Sequence, residues 1–193
     1  MFKKLSLLLA AVAVVAFAAP AIASAAPAVT MPAGTLLPKG TKIKGKSTNF
    51  VVNTSLGNLT CESVAFEAEL TENTGTQFAG VGVGEGTTSV CKLNGTTSIQ
   101  FTDFTLVSFT SGIIGTIFTK VTFKVDLPGG IVCHYLSPSG PGLLVSYLTG
   151  TAIWRIVAAS LLSTPAACGS SESSKMSGEF SMTNTGGSAL IFD

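Results

Sequence analysis

Two glutamates on one predicted strand are the first candidates for acid–base chemistry. Glu67 and Glu69 alternate with apolar residues within Ser63–Thr71, so both project from the same face and lie about 7 Å apart. That separation suits the paired carboxyl groups of an inverting glycosidase. The same alternation is typical of the solvated face of a sheet, and we expect this simpler role for both residues.

The single histidine, His134, is the candidate for nucleophilic catalysis. It could activate a serine if Asp103, Asp126 or Asp193 oriented the imidazole. The sequence contains no G-x-S-x-G motif, and the neighbouring Cys133 is expected to be oxidised, which removes a Cys-His pair. We therefore predict a structural role for His134 and no catalytic residue.

Three lysines form a basic stripe. Lys42, Lys44 and Lys46 occupy alternate positions of Thr41–Lys46, which places them on one face of a strand. They could contact an acidic wall polymer or an anionic surface. Lysines on an edge strand also discourage edge-to-edge association, and this protective role is the preferred interpretation.

The glycine-rich run Gly80–Gly86 invites comparison with a phosphate-binding loop. A dinucleotide fingerprint needs its glycines to lead into a helix, whereas Thr87–Cys91 reads as a strand. The spacing of the glycines also differs from the fingerprint. We predict that these glycines permit a bulged or closely packed strand.

The elements that must position these residues are strands. Apolar residues recur at every second position in Ser63–Thr71 and in Ile117–Leu127, which indicates a sheet with one dry and one wet side. Asn94-Gly95 and Leu127–Gly130 are turn signals. The sequence therefore predicts an all-β fold, an antiparallel β-sandwich with a partly open barrel as the alternative.

The apolar stretch Leu143–Leu162 is long enough for a membrane helix. Arg155 would lie near its middle, and Thr149-Gly150-Thr151 is typical of a turn. We therefore predict two buried strands here. The expected organisation is a single domain over residues 41–193, preceded by an extended segment over residues 26–40.

The first 25 residues have the pattern of a secretory signal peptide. Lys3 and Lys4 supply the positive end, Leu5–Ala19 the apolar region, and Ala23-Ser24-Ala25 the small-x-small cleavage pattern. We expect removal after Ala25 and no membrane span in the mature chain. This predicts a protein that is secreted or associated with the cell envelope.

Four cysteines follow the predicted signal, namely Cys61, Cys91, Cys133 and Cys168. An even number in an exported chain predicts two disulfides. Gaps of 30, 42 and 35 residues, with no C-x-x-C, disfavour a metal site. Three pairings are possible. The preferred one is Cys61–Cys91 with Cys133–Cys168, because each bond would tie neighbouring strands.

Composition excludes two further classes. The chain of 193 residues is 46% hydrophobic and 11% charged, with a formal net charge of +1. It lacks the basic excess that nucleic-acid binding requires and the polarity of a disordered chain. No cofactor or metal is expected.

Four short segments carry a likeness to known secreted proteins: Leu59-Thr60-Cys61, Gly82–Ser89 with Cys91, Leu127-Pro128-Gly129 before Cys133, and Thr164–Gly169. With them, the overall plan resembles small secreted Ser/Thr/Gly-rich β-proteins of high-GC Gram-positive bacteria whose role is unassigned. More weakly, the cysteine spacing and closing strands are similar to the secreted family named for activating alkane oxidation, which implies cell-surface or matrix roles. Neither resemblance implies catalytic residues.

These observations favour a non-enzymatic exported β-protein that acts through a surface contact. The expected partners are wall or matrix carbohydrate, or a second copy of the chain through paired strand edges. One alternative is a secreted hydrolase that uses Glu67 and Glu69, or His134. The other is a small outer-membrane β-barrel, since a chain of this length can supply eight strands.

Overall fold

The computed structural model describes residues 27–88, 90–112, 115–140, 142–168 and 174–193. The predicted signal peptide, residues 1–25, lies outside the described residues. A short 3₁₀ turn at Ala166–Cys168 follows the thirteenth strand. The strands within these ranges are β1 Val29–Thr30, β2 Lys42–Ser47, β3 Phe50–Thr54, β4 Gly57–Cys61, β5 Val64–Asn73, β6 Phe78–Gly82, β7 Thr87–Thr88, β8 Cys91–Leu93, β9 Thr97–Ser111, β10 Thr116–Leu127, β11 Ile131–Leu136, β12 Leu143–Tyr147, β13 Ile153–Thr164, β14 Ser174–Asn184 and β15 Ile191–Phe192.

The strand pairings are antiparallel and confirm the predicted all-β class. One ring of hydrogen-bonded neighbours runs β10–β12–β13–β14–β2–β5–β6–β9 and returns to β10. A second ring runs β10–β11–β13–β14–β3–β4–β8–β9 and also returns to β10. The long strands β9, β10, β13 and β14 belong to both rings. The two rings are therefore parts of one continuous hydrogen-bonded sheet.

Ring closure leaves few free edges on these strands. Each strand of either ring has a hydrogen-bonded neighbour on both sides over at least part of its length. An unpaired edge is the usual template for pairing with another chain. Within the described strands of the two rings, the pairing of β12 with β13 is limited to Ser146–Arg155 and Tyr147–Trp154, so the predicted self-association through strand edges would have only this short gap to use.

The inside of the closed sheet is an aromatic core. Phe50 lies near its centre, with edge-to-face contacts to four other phenylalanines at ring-centroid distances of 5.7 to 6.3 Å. Such pairs add to the free energy gained by burying the rings. The buried aromatic residues are Phe50, Phe66, Phe78, Phe101, Phe104, Phe109, Phe123, Tyr135, Tyr147, Trp154, Phe180 and Phe192.

Both predicted disulfides are present with the preferred pairing. Cys61 and Cys91 lie directly opposite each other on β4 and β8, with an S–S distance of 2.02 Å. Cys133 of β11 is bonded to Cys168, which ends the 3₁₀ turn, at 2.00 Å. All four residues are fully buried. The bonds thus tie the core at two separate places.

The predicted turns occur where the sequence placed them. Asn94 and Gly95 both have positive φ, 51° and 77°, and join β8 to β9. Gly129 and Gly130 do the same between β10 and β11, with φ of 90° and 79°. Asparagine and glycine tolerate this backbone region better than other residues, which is why these short signals could be read directly.

The stretch Leu143–Leu162 forms two strands, β12 and β13, as predicted. Their burial differs from the prediction, because only the inward side chains, such as Val145 and Trp154, are buried. Outward residues remain exposed, with Leu144 at 56% and Val157 at 69%. Within the described ranges, no helix is both long and apolar enough to cross a bilayer.

Of the predicted N-terminal segment, residues 26–40, the described residues 27–40 contribute to the fold. Its β1 pairs with β15, near the other end of the chain. Val29 and Leu37 are buried in the same core as the residues of the long strands. Asn73 fixes the segment by donating from its side-chain amide to the carbonyl oxygens of Val29 and Leu37 at 2.7 and 2.8 Å.

The glycines of Gly80–Gly86 permit close strand packing, as predicted. A Cβ atom on Gly80 would overlap the ring of Phe109, and one on Gly82 would overlap the carbonyl oxygen of Leu106. The short strand β7 follows, not a helix. This arrangement gives no N-terminal helix end at which a phosphate could bind.

Replacing Gly82 by alanine should lower the free energy of unfolding by about 2–3 kcal/mol, because the carbonyl of Leu106 is backbone and cannot turn away from the added methyl group. Gly186→Ala is the matched control, since its Cβ would lie 3.3 Å from the flexible side chain of Asn184. Urea titration of both variants checks this. Equal stability of the two variants would contradict the close approach of β6 and β9.

Candidate functional site

The lysine stripe lies on the outward face of β2. Ile43, Gly45 and Ser47 point inward and are buried, whereas the alternating lysines are exposed. β2 pairs with β14 on one side and with β5 on the other. It is therefore not an edge strand, and the preferred interpretation of Lys42, Lys44 and Lys46 as edge protection is wrong.

Carboxyl groups on β5 face the lysine stripe. Lys42 is paired in register with Glu69, and Lys44 with Glu67, while Lys46 faces Ala65. Lys44 Nζ lies 2.8 Å from Glu67 Oε1. The hydrogen bond and the charge of Lys44, with a smaller effect of Lys42, lower the pKa of Glu67. The outward surface of β2 and β5 therefore carries both positive and negative charges and is not purely basic.

A groove with a volume of about 580 Å³ opens on this face. Gly45 lies at its floor, where a side chain would overlap the ring of Phe66. Ser181 and Thr183 of β14 supply hydroxyl groups on one side, and the segment between β6 and β7 forms the other. The residues that line the groove are Lys44, Gly45, Lys46, Ala65, Phe66, Glu67, Val83, Glu85, Gly86, Thr87, Ser181 and Thr183.

Backbone hydrogen bonds fix the wall between β6 and β7. The amide of Val83 donates to the carbonyl oxygen of Glu67 at 2.9 Å, and that of Gly86 donates to the carbonyl oxygen of Phe104 at 2.6 Å. Glu85 lies between these two anchored residues. The wall therefore holds a carboxylate at the rim of the groove without a long flexible loop.

The two glutamates of the glycosidase hypothesis are placed differently. Both project outward from β5, but Glu67 lines the groove and Glu69 does not. Hydrolysis by a carboxyl pair needs one member with a raised pKa to act as the acid. Lys44 lowers the pKa of Glu67, so this residue is held as a carboxylate and is suited to accepting hydrogen bonds.

His134 lies on the outward face of β11 in a second, smaller cavity of about 230 Å³. Asp103 shares that cavity, so the structure brings together two members of the triad hypothesis. Lys124 lies in register with His134 and forms the ion pair with Asp103. Among the described residues that line the cavity there is no serine or cysteine to act as the nucleophile.

Neither of the other two carboxylates proposed as orienting groups lines this cavity. Asp126 is on the same face of β10 as Lys124, but it lies in register with Val132, two residues along β11 from His134. Asp193 accepts from Thr30 Oγ1 at 3.2 Å near β1. In the described part of the chain, no group of three or more His, Cys, Asp and Glu side chains is placed to hold a metal ion.

Sequence reasoning found the lysine stripe and Glu67 but missed the opposite wall of the groove. Ser181 and Thr183 are more than a hundred positions away from Lys44 and meet it only because β14 pairs with β2. Nothing in their local sequence separates them from the many other Ser and Thr residues of the chain. Glu85 was hidden in the same way within the glycine-rich run.

Comparison of the chain with protein-family models, with curated proteins and with solved structures gave no match in any of the three. The class that the structure itself defines is a closed, antiparallel all-β protein tied by two disulfides.

Proposed function

We propose that this protein is an exported, non-enzymatic binding module that holds a neutral, hydroxyl-rich polysaccharide of the cell wall or matrix in the groove along β2. The observation that carries the proposal is the groove itself, about 580 Å³ in volume and lined by donors and acceptors of both charges. This volume falls in the usual range for ligand sites, about 300–1,000 Å³.

The chemistry of the lining favours hydroxyl groups as ligand. Lys44 and Lys46 can donate, Glu67 and Glu85 can accept, and the hydroxyls of Ser181, Thr183 and Thr87 can do both. A sugar hydroxyl also donates and accepts at once, so it can satisfy both kinds of group. Ala65 and Val83 offer small apolar surfaces for the apolar face of a sugar ring above the strands.

The charge pattern favours a neutral polymer over an acidic one. Lys42 and Lys44 are paired with Glu69 and Glu67, so an anionic chain would meet carboxylates beside every lysine except Lys46. The negative charges of these carboxylates and of an anionic polymer would repel each other and oppose binding. An acidic wall polymer is therefore the second candidate, and its binding would weaken steeply as salt rises.

Two further features support the export and the choice of partner. The sequence has a secretory pattern before Ala26, and disulfides persist in oxidising compartments. Self-association through paired strand edges is disfavoured because the described strands of the two rings leave only a short unpaired gap, between β12 and β13. Carbohydrate is thus the better supported of the two partners predicted from the sequence.

Co-sedimentation of the mature protein with purified cell wall, chitin, cellulose and mannan tests the proposal. We expect retention on at least one of these materials that is nearly insensitive to salt. The double variant Lys46→Ala/Glu85→Gln should bind about tenfold more weakly, because two charged hydrogen-bonding groups are lost. Lys92→Ala, an exposed lysine of β8 outside the groove, should bind like the unaltered protein.

Two results would contradict the proposal. One is complete release of the unaltered protein from all four materials. The other is retention that the double variant and Lys92→Ala share equally, since the groove would then play no part. Retention on an acidic polymer alone, lost on addition of salt, would favour the second candidate instead.

A further inference from the structure

The outward residues between the groove and the cavity at His134 lie along one line across the sheet. Lys46 is in register with Ala65, and Ala65 with Thr87. Thr88 donates to the carbonyl oxygen of Phe101 on β9. The line therefore crosses β2, β5, β7 and β9 in turn, and it shifts by one residue along β7 and by two along β9.

The line continues from β9 to β11. Asp103 of β9 forms an ion pair with Lys124 of β10, and Lys124 is in register with His134 of β11. From β2 to β11 there are five steps between strands. At about 4.8 Å a step, this path is about 24 Å long.

A bulge in β9 brings Asp103 into this line. Lys124 pairs with Thr102 and Thr122 with Thr105, so β9 has one residue more than β10 across this interval. Asp103 has a φ of 53°, a conformation that few residues other than glycine adopt. Bulges commonly re-aim a side chain at a functional surface, and here the bulge directs a carboxylate to the outside, beside Lys124.

Glu85 connects the two cavities. It lines the groove, and the adjacent Gly86 is bonded to Phe104, the neighbour of Asp103. The pKa of Lys124 is raised mainly by Asp103 and, to a smaller degree, by the charge of Glu85. The carboxylate on the rim of the groove is therefore close enough to act on the lysine of the second cavity.

We infer that the cavity formed by Asp103, Lys124 and His134 is a second sugar-binding subsite of the same polymer path, so that the ligand is a linear polysaccharide that crosses the strands from β2 to β11. This inference rests on the proposed function. Its lining repeats the chemistry of the groove, with a carboxylate acceptor, an ammonium donor, an imidazole and the hydroxyl of Thr122. Two linked subsites bind a long chain more tightly than a short one.

A ladder of cello- and chito-oligosaccharides, from the disaccharide to the octasaccharide, tests this inference by calorimetry. Affinity should rise with chain length until an oligosaccharide spans both cavities. The double variant Lys124→Gln/His134→Ala should lose about tenfold in affinity for the longest chains and bind short ones unchanged. Lys175→Ala, an exposed lysine outside both cavities, is the control and should behave like the unaltered protein.

Different outcomes test the second subsite and the groove along β2. Tight binding of short chains, with no gain with length and no effect of Lys124→Gln/His134→Ala, would overturn the second subsite and leave the groove in place. Binding of no oligosaccharide by the unaltered protein would overturn the second subsite, whereas the proposed function is overturned only by release from all four materials in the co-sedimentation experiment. Circular dichroism of the variants excludes loss of folding as the cause of weaker binding.

Discussion

Replacing Cys61 and Cys91 together by alanine is expected to lower the free energy of unfolding by about 3.5 kcal/mol, and the pair Cys133 and Cys168 should cost about as much. The bonds close loops of 30 and 35 residues, which in the chain-entropy model restrict the unfolded chain by this amount. Loss of both would remove about 7 kcal/mol, comparable to the whole stability of many domains. Urea unfolding of each variant measures the effect.

Reducing agent supplies the matched comparison for this prediction. It should destabilise the unaltered protein to the level of the variant that lacks all four cysteines, and should leave that variant unchanged. Purified protein from an oxidising culture should contain no free thiol. Unfolding curves that do not change on reduction would contradict a structural role for the two bonds.

Phe50→Ala is expected to cost about 3–5 kcal/mol, the usual range for truncating a buried phenylalanine. Phe50 is fully buried and packs edge-to-face against Phe101, Phe104, Phe123 and Phe180. These neighbours belong to β9, β10 and β14, three of the four strands shared by both rings. Truncation therefore opens a cavity where the two rings share their core, and thermal unfolding should show a large fall in Tm.

Two variants keep this prediction specific. Phe50→Leu should cost less, because it retains part of the apolar volume. Val157→Ala removes an aliphatic side chain that is 69% exposed and should change the free energy of unfolding by less than about 0.5 kcal/mol. A loss for Phe50→Ala no greater than that of Val157→Ala would contradict the aromatic core.

Much of the fold could be predicted because its signals are local. Alternation in Ser63–Thr71 and Ile117–Leu127 marked β5 and β10, and the Asn94-Gly95 pair marked the turn between β8 and β9. Even the disulfide pairing followed from the idea that each bond joins neighbouring strands, as Cys61 and Cys91 do. The strands follow from the two-residue period of their side chains, and the turns follow from the backbone conformations that asparagine and glycine tolerate. The disulfides join cysteines that are close together in the sequence.

The closure of the sheet could not be predicted from the same signals. Whether β2 is an edge or a central strand depends on its pairing with β14, which lies at the far end of the chain. The alternating lysines suit the wet face of either kind of strand. The error about edge protection therefore came from a missing long-range pairing, and not from a wrong strand assignment.

The candidate site could be predicted only in part for a related reason. The lysine stripe and Glu67 were visible because they alternate within single strands. The hydroxyls of Ser181 and Thr183 join them through β14, and Asp103 faces outward because of a bulge with no sequence signal of its own. A binding surface that crosses several strands depends on long-range strand pairing, and no short sequence motif predicts that pairing.

Hydrogen exchange with and without a bound polysaccharide tests the central claim, that the groove along β2 is the binding surface, most directly. We expect slower amide exchange in residues 42–47, 83–87 and 181–183, and with long chains also around Asp103 and Lys124. Protection centred instead on the exposed apolar face of β12 and β13, where Leu144 and Val157 lie, would contradict it. Binding that slows exchange in none of the groove segments would do the same.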